Sequence, residues 1–390
     1  MKMNLKNHPL TTAIKDFGCE EIHIMRNAEG IVSAIAEDVK QGIKMFRILE
    51  KQTDKEEVHF VLGSDIQKVL VKMSAETIKV TIAENAITVQ GEAKVKINRL
   101  DKEAPVMEYL KKQEGALLVF KKEELLTKVS YLNCIAAAND VVRPTLMGIA
   151  MENKKGTVEL SATDGFVGAF TEVAYNMPTL PEKTEENEDK WEKIKAKIEA
   201  QTKKSLTPFT EIAKASDLEK AIKLVDGNNV YVAVVPNKEI VVFTATNMVS
   251  IKPLSGKKLD IKALIVTTPI DDALVIKETE VEKIVNVIPV LESAVDHQPM
   301  ILDNTESGLG VYSKSQDGLR VFSQMIEIED KKEMLVALNP KFVKKAVAIP
   351  GAKMYVSGEK KAVIYENGDI KGLILPINIS NFNREDYKGE

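Results

Sequence analysis

The chain has 390 residues, 44% of them hydrophobic, and a formal net charge of −4. It is too long for one ordinary domain and apolar enough for two or three packed cores. The charge excludes a uniformly basic surface, so any nucleic-acid contact must use a local cluster of lysines and arginines.

The N-terminus, MKMNLKNHP, has no apolar signal core, and the most apolar later stretch, residues 263–276, is interrupted by Pro269, Asp271 and Asp272. No membrane segment is expected. Cys19 and Cys134 lie far apart without CxxC spacing, which fits a reduced cytoplasmic protein with both thiols in the core.

The first helix is expected over residues 10–17. The second begins at Ser64, where Ser64 and Gln67 have capping-box spacing ahead of Ile66, Val69, Leu70 and Met73. A third covers residues 121–138. Residues 139–170 then read as a hairpin. Leu146, Ile149 and Met151 lead in, residues 153–156 form a polar turn, and Val158, Leu160 and Ala162 alternate on the return. Thr163, Asp164 and Gly165 bend the chain, since Asp bonds nearby backbone and Gly tolerates positive φ. Capping boxes at Ser216 with Glu219 and at Thr279 with Glu282 start the fourth and fifth helices. The sixth has Asn339 as N-cap and Pro340 at its first position. Residues 78–95, 230–245 and 309–328 alternate apolar and polar residues and break at Asn or Gly, as antiparallel hairpins do.

The helix starts form a rhythm. They are 57 residues apart from Ser64 to Lys121, 63 from Ser216 to Thr279 and 60 from Thr279 to Asn339, but 95 from Lys121 to Ser216. The excess of about 35 falls on the charged segment 178–208, between Pro178 and Pro208. There Glu185, Glu186, Glu188 and Asp189 precede Lys195, Lys197, Lys203 and Lys204, an order that suits a helix dipole, and Trp191, Ile194 and Ile198 share a face. Two readings stay open: a surface helix packed on its own domain, or a docking helix for a partner. The rhythm as a whole predicts an α+β protein of three pseudo-repeated units, each of two helices and antiparallel sheets, over residues 1–115, 116–261 and 262–390.

Several residues also carry a resemblance. A helix, then D-x-x-R-P-x-L-x-G from Asp140 to Gly148, a hairpin and Ala-Thr-Asp-Gly at 162–165 resemble the start of the middle domain of the bacterial replicative sliding clamp, the beta subunit of DNA polymerase III. Residues 335–347, LVALNPKFVKKAV, followed by 371–379, KGLILPINI, are similar to that family's last helix and terminal strand. The resemblance implies a ring-shaped homodimer of three-domain chains joined head to tail. Such a ring is loaded by an ATP-driven clamp loader, encircles double-stranded DNA and tethers a DNA polymerase. The inserted segment and the C-terminal extension SNFNREDYKGE mark a divergent member of phage or plasmid kind.

In the family the helices line the hole. The corresponding lysines here are Lys68 and Lys72 on the second helix, Lys121, Lys122 and Lys128 on the third, Lys220 and Lys223 on the fourth, and Lys341, Lys344 and Lys345 on the sixth. Any amphipathic helix has a charged outer face, but convergence of equivalent helices would make a lining that contacts phosphates without reading bases. The family also binds partner peptides in a groove between the second and third domains. The matching positions are Leu146, Thr163, Gly165, Phe166 and Val167, then Leu259 and Leu264, then Leu373, Leu375, Pro376 and Ile377. Where the family has His-Arg after Ala-Thr-Asp-Gly this chain has Phe166 and Val167, and Asn378 replaces a common Arg, so the groove is expected to be more apolar and less cationic. Phe382 or Tyr387 of the extension is expected to fold back towards it.

An enzyme reading, as a phosphodiesterase or nuclease, finds little support. His8, His23, His59 and His297 are scattered without metal-ligand spacing, and neither GxxxxGK[ST] nor GxGxxG occurs. Asp140, Arg143 and Asp164 read as a structural network around the corner. No catalytic residue, cofactor or metal is expected. A further alternative is a clamp-fold scaffold that binds partners without encircling DNA.

Overall fold

The computed structural model describes residues 2–105, 115–179, 191–295, 298–379 and 382–387, apart from the Ile194 side chain. The acidic run at Glu185, Glu186, Glu188 and Asp189, the Ile194 stripe position and His297 lie outside the described residues.

The described helices are α1 (Asn7–Phe17), α2 (Ser64–Leu70), α3 (Lys122–Ile135), α4 (Trp191–Ser205), α5 (Ala215–Leu224), α6 (Ile261–Val266), α7 (Glu278–Val295) and α8 (Pro340–Ala346). Local chemistry sets some of their ends as expected. Asn339 accepts from the Lys341 amide with Pro340 at the first position of α8, and α1 stops where Gly18, at φ 60°, donates its N–H to the Ile14 carbonyl. Elsewhere tertiary partners override the local signal. Gly63, not a side chain, precedes α2, because Gln67 is buried and donates to the Glu20 and Leu62 carbonyls. At α7 the back-reaching carboxylate belongs to Glu280, which accepts from the Lys277 and Glu329 amides, rather than to Glu282. The cysteines also differ from expectation: Cys19 is half-buried and Cys134 exposed, since Leu125, Val129 and Leu132 take the buried face of α3.

The chain divides into two compact units, Met1–Leu126 with Tyr175–Thr207 and Ser216–Pro253, and Thr127–Ala174 with Pro208–Ala215 and Leu254–Glu390. Each unit holds an eight-stranded and a four-stranded antiparallel sheet. The large sheet of unit 1 runs Val58–Gly63, Glu21–Arg26, Ile31–Asp38, Ile43–Lys51, Asn247–Ile251, Glu239–Phe243, Asn229–Val235 and Ala116–Lys121. The large sheet of unit 2 runs Thr210–Lys214, Gly148–Asn153, Thr157–Thr163, Val167–Ala174, Ile370–Ile374, Val363–Asn367, Lys353–Val356 and Leu274–Ile276. Each sheet is two halves joined at a central seam, and each half is three hairpin-connected strands with a fourth strand from elsewhere in the chain at its outer edge. The seam pairs Ile43 with Ile251 in unit 1 and Val167 with Ile374 in unit 2, which puts strands far apart in sequence into one continuous ladder.

The seams are closed by side chains as well as by backbone. In unit 1 the buried Arg47 donates to Asp16 (2.6 Å), to the Asn247 carboxamide (2.8 Å) and to the Leu224 carbonyl (3.2 Å). In unit 2 the Tyr131 hydroxyl donates to the Ala346 carbonyl (2.7 Å) and lies 2.9 Å from that of the fully buried Tyr365, and Gly372 leaves room for the Tyr365 ring. Each is a buried polar group given partners, the condition for burying it at small net cost.

Candidate functional site

The corner at Thr163 to Val167 organises the site. The Asp164 carboxylate accepts from the Phe166 (3.0 Å) and Val167 (2.9 Å) amides, the Thr163 hydroxyl donates to the Val167 carbonyl, and Gly165 sits at φ 94°. This is an Asx-type tight turn. Asp164 also holds Lys345 of α8 at 2.8 Å, and Arg143 pairs with Asp140 at 2.9 Å. The turn leaves Phe166 53% exposed, stacked on Phe342 of α8 with centroids 5.3 Å apart and planes 11° from parallel.

All eleven candidate groove residues fall in unit 2. Leu146, Val167 and Leu373 are buried and make a floor, Leu259, Leu264 and Leu375 are exposed lips, and Thr163, Gly165, Pro376 and Ile377 are half-buried. The terminal segment is tied to the corner, because the Leu375 amide donates to the Phe166 carbonyl at 2.8 Å. Behind the floor, α6 packs Ile261 and Ile265 onto Phe170, Ile364 and Leu373, and Gly168 permits this because a Cβ there would lie 2.9 Å from the Ile261 side chain. The hollow among Leu146, Thr163, Leu259 and Ile261 has a volume of only about 20 Å³. That is room for about one water, which needs roughly 10–15 Å³ by this measure, so an apolar anchor must rest on the exposed leucines and Phe166 or displace them.

Beside the floor, Glu159 is buried among Lys154 (2.6 Å), Lys258 (3.3 Å) and Lys262 (3.4 Å). Burial pushes its carboxyl up, but the hydrogen bond from Lys154 and the Lys258 charge outweigh that and hold it below the usual carboxylate range. The sequence reading missed Phe342 and this lysine-carboxylate cluster. Phe342 stands among the lysines of NPKFVKK, and nothing within that window pairs it with Phe166.

The candidate DNA-facing lysines divide. Lys68, Lys72, Lys121, Lys223 and Lys341 are exposed, and Lys122, Lys220, Lys344 and Lys345 are half-buried. Lys68 faces Asp65 (3.6 Å), Lys223 faces Glu219 (2.6 Å) and Lys344 faces Glu292 (2.7 Å), while Lys122 donates to the Val225 carbonyl. Lys128 corrects the sequence reading. It is buried, donates to the Glu172 carbonyl (2.7 Å) and pairs with Asp369, which also meets Thr171, so it pins the unit 2 seam and is not on an outer face.

The extension also differs from expectation. Phe382 and Tyr387 both pack on Tyr312 of the four-stranded sheet, each with centroids 6.0 Å away. Arg384 fixes them there through a bidentate pair with the buried Asp303.

The whole chain is similar to solved beta subunits. That of Pseudomonas aeruginosa DNA polymerase III superposes with a TM-score of 0.78 at 12% identity, covering 97% of this chain and 100% of that one. The Bacillus subtilis DNA polymerase sliding clamp gives 0.75 at 16% identity with the same coverage. A Helicobacter pylori beta clamp bound to a DNA ligase peptide gives 0.73 at 13%, again covering 97% and 100%. The fold is that of the bacterial sliding clamps. No family model matches the sequence, and no curated protein does, so this is a divergent version of the clamp fold. Among the described residues no group of three His, Cys, Asp or Glu could hold a metal, and no helix is long and apolar enough to cross a membrane.

Proposed function

We propose that this chain is a DNA sliding clamp: a processivity factor without chemistry of its own, which encircles duplex DNA as a homodimeric ring and tethers a polymerase and other replication proteins by short peptides. Three domains with boundaries near residues 115 and 261 belong to this reading, as do loading by an ATP-driven partner and a cytoplasmic setting. The observation that carries it is the similarity of fold over nearly the full length of both chains. An apolar-lipped groove within one unit supports it. One of the similar structures, the Helicobacter pylori clamp, holds a DNA ligase peptide, and the exposed Phe166, Leu259, Leu264 and Leu375 offer anchoring contacts of that kind. Among the described residues no acid lies within ion-pair distance of Lys72, Lys121, Lys220 or Lys341, which makes these four the best phosphate contacts of the ten.

Negative-stain imaging of the purified protein tests the ring. Particles with an open centre are the expected result, and compact particles without a hole at every concentration would overturn it. The scaffold reading draws on the ion pairs that already neutralise Lys223, Lys344 and Lys345. Charge reversal at Lys72, Lys121 and Lys341 separates the two: a clamp loses retention on closed circular DNA, whereas a scaffold keeps its partners and its activity.

A further inference from the structure

We propose that unit 1 carries a second docking site, a cleft under α4 that takes a short acidic peptide with large apolar anchors from a protein partner. The cleft has a volume of about 510 Å³, within the range of pockets that hold compact ligands. Phe46, Leu117, Phe243 and Met248 form its floor, and Ile198 and Lys197 of α4 overhang it. None of its residues belongs to the groove of unit 2.

The two large sheets explain why, among the described residues, this face is open. Counted from the seam pairs Ile43 with Ile251 and Val167 with Ile374, Phe46 stands where Phe170 does, and Val241 where Ile364 does. In unit 2 that cluster is completed by α6, which lays Ile261 and Ile265, four residues apart on one helical face, against Phe170, Ile364 and Leu373. In unit 1 the matching cluster of Val241, Ala233 and Met248 keeps Phe46, Leu117 and Phe243 only partly buried. The helix nearest to it, α4, is held out at the edge strand by polar bonds. The Ser205 hydroxyl donates to the Leu117 carbonyl (2.7 Å) and accepts from its amide (3.1 Å), and Gln201 donates to the Gly115 carbonyl (2.8 Å). The face therefore keeps a half-exposed aromatic pair, Phe243 stacked on Tyr231 at 5.4 Å.

What fits is set by this precedent and by charge. An aliphatic pair four residues apart, presented as α6 presents Ile261 and Ile265, matches the floor. Over its described length α4 exposes Lys193, Lys195, Lys197, Lys203 and Lys204 against Glu192 and Glu199, so acidic flanks match the rim. The occupant is thus one amphipathic turn with two large apolar residues and flanking Asp or Glu.

The test is selection of a phage-displayed random dodecapeptide library on the full-length protein. Synthetic, fluorescein-labelled copies of the enriched peptides are then measured by anisotropy. We expect peptides with two large apolar residues four apart beside acids. Their affinity should fall at least tenfold with Lys197→Glu and with Ile198→Glu, both on a solvent-facing helix, should weaken as salt rises, and should not change with Phe166→Ala. Trp191, the single tryptophan and itself on α4, should change its emission on binding. The proposal is overturned if no peptide is enriched, or if enriched peptides respond to Phe166→Ala and not to the α4 variants, which assigns them to the groove. It is equally overturned if sedimentation shows self-association abolished by Ile198→Glu and no peptide is enriched, which makes a second copy the occupant. Loss of the ring reading leaves these outcomes unaffected.

Discussion

The two large sheets share one strand order and differ in how the seam is filled. In unit 1 large side chains meet across it, Phe46 opposite Met248 and Met45 opposite Val249, and Arg47 pins the end. In unit 2 the matching pairs are Phe170 opposite Lys371 and Ala169 opposite Gly372, followed by Gly168 opposite Leu373 where unit 1 has Lys44 opposite Ser250, with Lys128, Asp369 and Thr171 as the pin. Glycines thin the ladder there, so that Tyr365 from the adjacent strand and Ile261 from α6 can approach closely. A bulky seam supplies its own floor and leaves its face open, whereas a thin seam has to be filled by neighbouring elements of its own unit. Strand order alone thus does not determine which surface a sheet offers to partners.

The sharpest way to break the comparison is to thicken the thin seam. A Cβ at Gly372 would lie 2.1 Å from the Tyr365 ring, so Gly372→Ala should cost about 3 kcal/mol or more, as severe overpacking does. The matched change in unit 1, Val249→Ala, removes two methyl groups from a buried site and should cost only about 1–2 kcal/mol. Denaturant unfolding of both variants checks the order. A second asymmetry is that the C-terminal extension clasps the four-stranded sheet of unit 2. Arg384→Ala leaves the Asp303 carboxylate buried without its partner and should cost about 1–3 kcal/mol, read as a lower melting temperature.

Smaller effects concern the groove and pH. Phe166→Ala removes the stack on Phe342, worth about 0.5–1.5 kcal/mol beyond its buried area, and should weaken a groove-selected peptide roughly tenfold, an energy of about 1.4 kcal/mol. The two units should also respond to acid in different windows. In unit 1, His23 and His59 stack 5.3 Å apart with ring nitrogens 3.0 Å from each other. Burial first, then the His59 and Lys102 charges for His23 and the Arg99 charge for His59, lower both, against the opposing pull of Glu21 and Asp101. The folded state then binds protons less readily than the unfolded one. Its stability is full above the ordinary histidine value of about 6.5 and is lost as pH falls below it. Glu159 in unit 2 is a lowered carboxylate, whose contribution is full above its ordinary value of about 4.5 and is lost only as pH falls through the lower folded value. Between pH 7.5 and 5, hydrogen exchange corrected for its intrinsic rate should therefore quicken in Glu21–Arg26 and Val58–Gly63 and not in Thr157–Thr163. His59→Gln should remove the difference.

What the sequence made legible was local. The Asn339 cap with Pro340, the Asp164 and Gly165 corner and the alternating hairpins rest on bonds within a few residues, and a short window contains them. The α2 start failed because Gln67 has its partner at Glu20, 47 residues away. Lys128 read as an outer lysine because its partner, Asp369, lies 241 residues further on. Periodicity places a residue on a helix face but not the element that covers that face. Phe342 was invisible as a groove residue for the same reason, since only the turn at Asp164 brings Phe166 onto it.

The Arg384 clasp bears on how the protein is handled. Phe382, Arg384 and Tyr387 hold the last described turn against Tyr312 and the buried Asp303, so truncation at residue 381 would strip both rings from Tyr312 and leave the Asp303 carboxylate without its guanidinium. A cut or protease scar within residues 382–387 therefore perturbs a folded contact of the four-stranded sheet.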